Sequence, residues 1–234
     1  MTATDDQPLA EQLAYYGARA AEYDQWWLRQ GRYDRGAMEN ERWFREAQEL
    51  DRVLEDFRPT GDVLELACGT GLRTEKLLPF AKSLTVVDGS EEMLAIHASR
   101  FDSTKISRLV VDLFEWTPDR QFDVVYFGFW LSHVPPDRFE EFWSMVRRSL
   151  KPGGRFLFVD SKRAVNSAAV DHVNPEEGSI VHKRRLNDGR EFQVYKVFHE
   201  PTKLRNRLAG LGWDCTIGET ETFFIHGHGS AQIA

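Results

Sequence analysis

The sequence predicts an α/β fold: a doubly wound, mostly parallel seven-stranded sheet with N-terminal cap helices and an inserted antiparallel hairpin. Three observations predict it. The strand-like segments are continuous apolar runs, helical segments separate them, and the first run leads directly into the glycine turn Cys68-Gly69-Thr70-Gly71. Continuous apolar strands are typical of a parallel sheet that is buried on both faces. Right-handed crossovers then place ligands at the carboxyl ends of the strands.

Two helices are predicted before the first strand. Apolar and aromatic residues, Tyr16 and Tyr23 among them, recur near a 3.6-residue period over 8–30. A second helix over 37–57 carries Trp43 and further apolar residues along one side. The segment Arg58-Pro59-Thr60-Gly61-Asp62 has the composition of a turn and leads to the first strand.

The central part of the chain alternates between short apolar runs and helical segments. Ser90 is the predicted N-cap of a helix that runs through about Ser99, because its hydroxyl can accept a hydrogen bond from a free N–H of the first turn. A helix over 137–150 precedes the turn Lys151-Pro152-Gly153-Gly154. The predicted strands are 62–67, 83–88, 109–111, 122–127 and 155–159.

An antiparallel hairpin interrupts this alternation. The strand-like runs 179–186 and 191–198 flank Asn187-Asp188-Gly189-Arg190, which has the composition of a hairpin turn. A helix over 201–210 and strands near 213–218 and 221–226 complete the sheet. We therefore expect one domain over 1–234, whose predicted parts are cap helices at 1–58, a cofactor-binding core at 60–160 and a hairpin lid at 179–198.

Composition excludes several classes of protein. The 234 residues carry a formal net charge of −7, which argues against a general nucleic-acid surface because phosphate binding depends on an excess of Lys and Arg. The cysteines Cys68 and Cys215 have no metal-type or disulfide spacing, which fits a reducing cytoplasmic setting. Neither a signal peptide nor an apolar run long enough to span a bilayer is visible.

The glycine turn indicates a pocket for a nucleotide-like ligand, since glycines let the backbone approach a ligand closely. A dinucleotide fingerprint would have a third glycine where this chain has Thr74, and no Walker A lysine follows the turn. Acidic residues lie in or at the ends of the predicted strands. Asp88 can accept both ribose hydroxyl hydrogens, and the pair Asp112-Leu113 suits an adenine amino group and ring face.

These segments resemble the motif series of class I S-adenosylmethionine (SAM)-dependent methyltransferases over about residues 60–160. The motifs are Val63–Gly71, Val86–Ser90 with Met93, Asp112-Leu113, Phe122–Val125 and Leu150–Gly154. The resemblance implies a Rossmann-like fold, SAM as cofactor and tyrosines of the cap helices that close over its methionine end. The cofactor-binding residues expected from it are Tyr16, Tyr23, Glu65, Ala67, Gly69, Gly71, Asp88, Gly89, Ser90, Met93, Asp112, Leu113 and Phe127.

The acceptor side is expected in the aromatic segment 127–135 that follows the fourth strand. His133 is the candidate catalytic base for a phenol or an amine, and the alternative is a structural histidine bonded to the backbone. Basic residues cluster in the hairpin, where alternation places Lys183 and Arg185 on one face and His182 and Arg184 on the other. The cluster suits recognition of an anionic substrate or, alternatively, protects a solvated strand edge.

A narrower resemblance covers most of the chain. Trp130–Pro135 with Asp137–Glu140, the hairpin Arg184–Arg190, Lys196–Phe198 and Leu211–Trp213 are similar to the phosphonate O-methyltransferases of actinobacterial phosphonate-antibiotic biosynthesis. That family implies that Tyr23, Arg185 and Lys196 hold the phosphonate, and Phe129 stands where the family has histidine. The expected substrate-binding residues are Tyr23, Trp27, Phe129, Trp130, His133, Arg185 and Lys196.

The resulting hypothesis is SAM-dependent O-methylation of a small acidic metabolite, a phosphonate or a carboxylate, in secondary metabolism. O- or N-methylation of an aromatic small molecule with His133 as base is the first alternative. An NAD-dependent oxidoreductase and a non-catalytic SAM-binding regulator remain as other classes. We expect a small-molecule substrate, no metal, no nucleic-acid or membrane partner, and a monomer or homodimer.

Overall fold

The computed structural model describes residues 7–172 and 178–232, which form a seven-stranded sheet and a separate two-stranded hairpin. The sheet order is β3-β2-β1-β4-β5-β9-β8, and β1 to β5 pair in parallel. Strand β9 runs antiparallel to both of its neighbours, β5 and β8. The strands are β1 Gly61–Leu66, β2 Ala81–Asp88, β3 Ile106–Val110, β4 Phe122–Gly128, β5 Leu150–Ser161, β6 Val181–Arg185, β7 Glu191–Tyr195, β8 Trp213–Glu219 and β9 Phe224–Ala231. The predicted doubly wound α/β fold is confirmed.

Helices cover both faces of the sheet. On one face α6 and α7 pack over Leu64, Phe127 and Phe158, and on the other α3 and α5 pack over Val63 and Tyr126. Neighbouring residues of one strand thus contribute to opposite cores, as the pleat requires. The helices are α1 Gln7–Arg19, α2 Asp24–Trp27, α3 Ala37–Phe57, α4 Thr74–Leu77, α5 Glu91–Arg100, α6 Phe139–Ser149 and α7 Pro201–Gly210.

The predicted continuous helix over 8–30 is wrong, because the chain breaks after α1 into a 3₁₀ turn and the short α2. The break lets this segment contact the glycine turn. The Thr70 hydroxyl donates to an Asp24 carboxylate oxygen at 2.6 Å, and Arg100 pairs with the other oxygen of Asp24. Such tertiary contacts outweigh the helical period of the sequence.

Strand limits differ from the predicted ones at several places: β2 begins at Ala81, β3 spans Ile106–Val110 rather than 109–111, and both hairpin strands are shorter than predicted. Strand β5 begins at Leu150, and β9 begins at Phe224 rather than near residue 221. The buried Glu46 carboxylate of α3 explains the later start of β9, because it accepts the backbone N–H groups of Thr222 and Phe223 and fixes them in a turn.

The hairpin β6–β7 lies against α1 rather than in the main sheet. Leu186 and Val194 pack on Tyr15 of α1 in a small apolar cluster. The backbone N–H of Gln193 donates to Glu11 at 2.9 Å. Side chains of the first helix therefore determine which face of the hairpin turns inward. Within the described residues, no helix has the length and apolar character that crossing a bilayer requires.

Candidate active site

Two adjoining cavities open at the carboxyl ends of the parallel strands. The glycine-turn cavity, of about 450 Å³, is lined by Gly69, Asp88 and Asp112 among others. The hairpin cavity, of about 330 Å³, lies between α1, the hairpin and the end of β5. Three aromatic side chains line both cavities and mark their junction: Tyr16, Tyr23 and Phe129. A ligand in one cavity would therefore contact the same side chains as a ligand in the other.

Glycine residues, which have no side chain, create room in the glycine-turn cavity. Gly69 has a φ of +55°, and a Cβ built there would stand 3.7 Å from the Tyr23 ring. A Cβ on Gly89 would meet Leu13 at 2.9 Å, which is closer than side-chain atoms pack. Ala67, with a φ of +50°, lines the same wall with only a methyl side chain. This cradle fits an elongated adenosine-type ligand that lies close to the backbone.

Asp88 is held at the end of β2 by the backbone around it. Its two carboxylate oxygens accept N–H groups from Gly69 at 2.8 Å and from Ser90 at 2.9 Å. Burial raises the pKa of Asp88, and these hydrogen bonds oppose that rise. Each carboxylate oxygen can accept a second hydrogen bond, so both remain able to bind ribose hydroxyl groups.

Aromatic and acidic residues form the far end of the glycine-turn cavity. Asp112 accepts the backbone N–H of Phe114 at 2.9 Å through one oxygen and lines the cavity together with Leu113. The rings of Phe114 and Trp130 lie 5.6 Å apart. An acceptor oxygen beside apolar ring faces suits an adenine base, and Met93 also lines this wall.

Four residues predicted to bind the cofactor lie outside this cavity's lining. Glu65 accepts the Thr74 hydroxyl at 2.6 Å, and burial raises its pKa to about 8. Gly71 packs against Phe101, Ser90 caps α5 by accepting the Met93 N–H at 3.1 Å, and Phe127 is fully buried among core rings. The structure places Gly71, Ser90 and Phe127 behind the cavity wall, Glu65 in a smaller adjoining cavity, and Gly128 on the wall next to Phe127.

The hairpin cavity is basic. No carboxylate appears among its described lining residues, whereas four cationic side chains do: Arg19, Arg163, Arg184 and Lys196. Arg19 is 8% exposed, lies over the rings of Tyr15, Tyr23 and Tyr33, and forms no ion pair within the described residues.

Two hairpin cations enter this cavity from β6 and from the residue after β7. Burial lowers the pKa of Arg184, and Tyr15 and Tyr16 oppose that shift. The Lys196 ammonium donates to the Ser132 hydroxyl at 2.7 Å and lies 3.6 Å from the buried Asp160 carboxylate. Burial lowers the pKa of Lys196 to about 8, although Asp160 favours its charged form.

Three predicted substrate-binding residues lie outside the described lining of the hairpin cavity. Arg185 lies on the exposed face of the hairpin, and Arg184 lines the cavity instead. Trp27 packs against Trp43 and Phe129 and lines a smaller adjoining cavity, whereas Trp26 lines the hairpin cavity. Trp130 lines the glycine-turn cavity. Tyr23, Phe129, His133 and Lys196 do line the hairpin cavity.

Sequence reasoning did not identify Arg19. It named Arg184 in the basic hairpin cluster without choosing which face of the hairpin turns inward, although a signal for that face was present. Leu186 follows β6 directly, two residues after Arg184, and therefore continues the strand face of Arg184. Since Leu186 is an apolar residue that is buried here, its face is the inward one. Arg19 carries no comparable signal, because its position depends on the break after α1.

His133 is hydrogen-bonded through both ring nitrogens. Its Nδ1 lies 2.6 Å from the Tyr195 carbonyl oxygen, and its Nε2 lies 2.8 Å from the Tyr16 hydroxyl oxygen. Burial and the nearby Lys196 charge hold its pKa well below the ordinary value. His133 therefore stays neutral, and its Nε2 is occupied by the hydroxyl of Tyr16, which lies at the cavity junction.

Known proteins show the same fold. The family model described as a methyltransferase domain matches residues 63–154. A structure described as a DhpI-SAM-HEP complex is 38% identical, covers 97% of this chain and 99% of that one, and superposes with a TM-score of 0.80. A DhpI-SAH complex is 37% identical over 99% and 100% of the two chains, with a TM-score of 0.79.

A more distant curated relative is nodulation protein S of Azorhizobium caulinodans. It is 27% identical over 141 residues, which are 56% of this chain and 68% of that protein. The chain belongs to the class I SAM-dependent methyltransferases. It is a small-molecule methyltransferase whose cofactor is SAM.

Proposed function

We propose that this enzyme methylates an acid oxygen of a small anionic metabolite, a phosphonate or a carboxylate, in secondary metabolism. The observation that carries the proposal is the charge of the hairpin cavity. Arg19, Arg184 and Lys196 enter it from three different segments, and no described acidic side chain lines it. Sequence-distant cations that converge on one cavity indicate an anionic ligand.

Burial makes this charge significant. A buried cation without a partner is unfavourable by several kcal/mol, so proteins normally pair it. Lys196 has Asp160 nearby, but Arg19 and Arg184 have no carboxylate partner in the described part of the chain. An acidic acceptor would supply the missing negative charge, and the arginine fork matches its oxygens.

The chain's contribution to the reaction is to align and desolvate the acceptor. When bound, SAM supplies an electrophilic methyl group on a sulfonium. Arg184 and Lys196 would hold the acid group on the hairpin side, and the rings of Tyr16, Tyr23 and Phe129 exclude water at the junction. Alignment of two reactants is worth up to about 7–11 kcal/mol. A carboxylic or phosphonic acid is ionised at pH 7, so this chemistry does not need a base.

Similarity to other proteins supports the phosphonate branch of the proposal. The hairpin and the segment after β4 resemble phosphonate O-methyltransferases, and the related DhpI has been solved together with SAM and HEP. Phe129 departs from that family's histidine, and it lines both cavities at their junction. We therefore expect an acceptor whose organic part is less polar than a ligand that such a histidine would contact.

A second candidate is O- or N-methylation of an aromatic compound. The rings of Trp26, Phe129 and Phe198 on the wall of the hairpin cavity favour it. A phenol or amine acceptor would need a base, and His133 could serve only after it released the Tyr16 hydroxyl. The acid proposal requires no such rearrangement.

The test is methyl transfer from isotope-labelled SAM to a panel of small phosphonates, carboxylates, phenols and amines, read by mass spectrometry. Each acid is paired with its neutral amide, which keeps the shape and removes the charge. The proposal predicts label on acids alone. Label on phenols or amines, with every acid untouched, would contradict it and favour the second candidate.

A further inference from the structure

A hydrogen-bonded chain leads from the hairpin to the junction of the two cavities. The Tyr195 carbonyl can only accept, so the Nδ1 of His133, 2.6 Å away, carries the proton. In a neutral imidazole the other nitrogen then has a lone pair and no hydrogen. The Tyr16 hydroxyl, 2.8 Å from Nε2, must therefore be the donor in that hydrogen bond.

The surroundings keep this direction fixed. Burial disfavours the imidazolium form of His133, and Lys196, Arg184 and Arg19 add repulsion to a further positive charge. The pKa of the Tyr16 phenol is raised well above its ordinary value, mainly by burial, so Tyr16 keeps its hydrogen. The phenol hydrogen thus points to His133 at any pH at which the protein is folded and the ring is neutral.

A buried glutamine joins the backbone of His133 to the backbone of Tyr195, whose carbonyl accepts from the imidazole. The Gln12 amide nitrogen donates to the His133 carbonyl at 3.2 Å, and its oxygen accepts the Tyr195 N–H at 3.0 Å. Gln12 lies one helical turn before Tyr16 on α1. Helix α1, the segment after β4 and the hairpin therefore meet at the His133 imidazole. Hydrogen bonds to Tyr195 and Tyr16 at its two nitrogens determine its orientation.

We propose that His133 is a positioning residue that acts through Tyr16: it takes the phenol hydrogen, so that the Tyr16 oxygen turns only lone pairs toward the cavity junction. Lone pairs there favour a positively charged methyl-sulfonium ligand over the uncharged thioether that remains after methyl transfer. The inference rests on the proposed function, because it takes the junction as the place where the methyl group lies. It replaces the role of general base for His133.

The experiment measures equilibrium binding of SAM and of S-adenosylhomocysteine (SAH) by calorimetry, without any acceptor. The readout is the ratio of the two affinities. Tyr16→Phe should lower the preference for SAM by about two- to fivefold, the size of a weak C–H···O contact. His133→Phe should lower the SAM preference equally. The double variant should lower it no further, because both changes remove the same Tyr16–His133 hydrogen bond.

Two further variants separate positioning from loss of structure. His133→Gln keeps an amide that can donate on one side and accept on the other, and it should restore most of the SAM preference. Tyr126→Phe removes another buried phenol hydroxyl, which lines neither cavity, and should change both affinities alike. Retained SAH binding shows that each variant is folded.

An unchanged affinity ratio in Tyr16→Phe would overturn the inference, and so would a ratio that falls in His133→Phe but not in Tyr16→Phe. Because no acceptor is present, these outcomes do not depend on which compound is methylated. Failure of the proposed function would instead appear in the acceptor panel, as label on phenols or amines with the affinity ratio behaving as predicted.

Discussion

Replacing Arg184 by glutamine should weaken binding of the acid acceptor, whereas the same change at Arg185 should not. The two arginines are neighbours on β6 and differ in the face of the hairpin that they occupy. Arg184 lines the hairpin cavity, and Arg185 is exposed to solvent. The two variants are thus a matched pair: the original residue and the substitution are the same, and only the face of the hairpin on which the side chain lies differs.

The size of the effect follows from the surroundings of Arg184. Burial lowers its pKa, and it has no carboxylate partner within the described residues, so its guanidinium is available to the acceptor. A hydrogen bond to a charged group contributes about 1.5–3 kcal/mol. At about 1.4 kcal/mol per tenfold change, Arg184→Gln should raise the acceptor KM by about 10- to 100-fold. An exposed substitution such as Arg185→Gln stays within about 0.5 kcal/mol.

The assay is the initial rate of methyl transfer to the best acid acceptor at saturating SAM. The SAM affinity of both variants, measured separately, is the control for folding, because neither arginine lines the glycine-turn cavity. Equal acceptor KM values for Arg184→Gln and Arg185→Gln would refute the anion-binding interpretation of the hairpin. A larger effect at Arg185 would show that the inward face of the hairpin has been assigned wrongly.

Three more predictions concern other parts of the site. Lys196, whose pKa burial lowers to about 8, is charged below that pH, so kcat/KM for an acid should fall as pH rises through about 8. Lys196→Arg should remove this fall from the pH profile, since arginine stays charged. Gly71→Ala should lower the free energy of unfolding by about 2 kcal/mol or more, because φ is +94° and its Cβ would overlap Phe101. Ser90→Ala should lower it by about 1 kcal/mol by loss of the α5 N-cap. Chemical denaturation measures the stability of both variants. A loss of SAH binding free energy larger than the loss of unfolding free energy would contradict a purely structural role for Gly71 and Ser90.

The fold was predictable because its elements follow local patterns. The helices over 37–57 and 201–210 have the predicted limits, and Ser90 caps α5 as its hydroxyl chemistry indicated. Apolar runs gave the parallel strands because both faces of the sheet are covered. The break after Arg19 was not predictable, since it depends on contacts of Asp24 with the distant Thr70 and Arg100.

The kinds of residue in the site were predictable, but the directions in which individual side chains point were less so. A strand alternates with a period of two, so an error of one residue exchanges the faces. That is why Gly128 stands on the cavity wall where Phe127 was expected, and Arg184 where Arg185 was expected. The alternation within the hairpin shows which residues share a face. Which of the two faces turns inward depends on packing against α1, which the hairpin sequence does not contain.

The most direct test of the account is a crystal structure of the enzyme with SAH and an acid that it methylates. The account predicts SAH along the glycine turn and the acid group within hydrogen-bond distance of Arg184 and Lys196. It further predicts one acid oxygen directed at the junction formed by Tyr16, Tyr23 and Phe129. An acid group bound away from both cations, with its organic part in the hairpin cavity, would contradict the central claim.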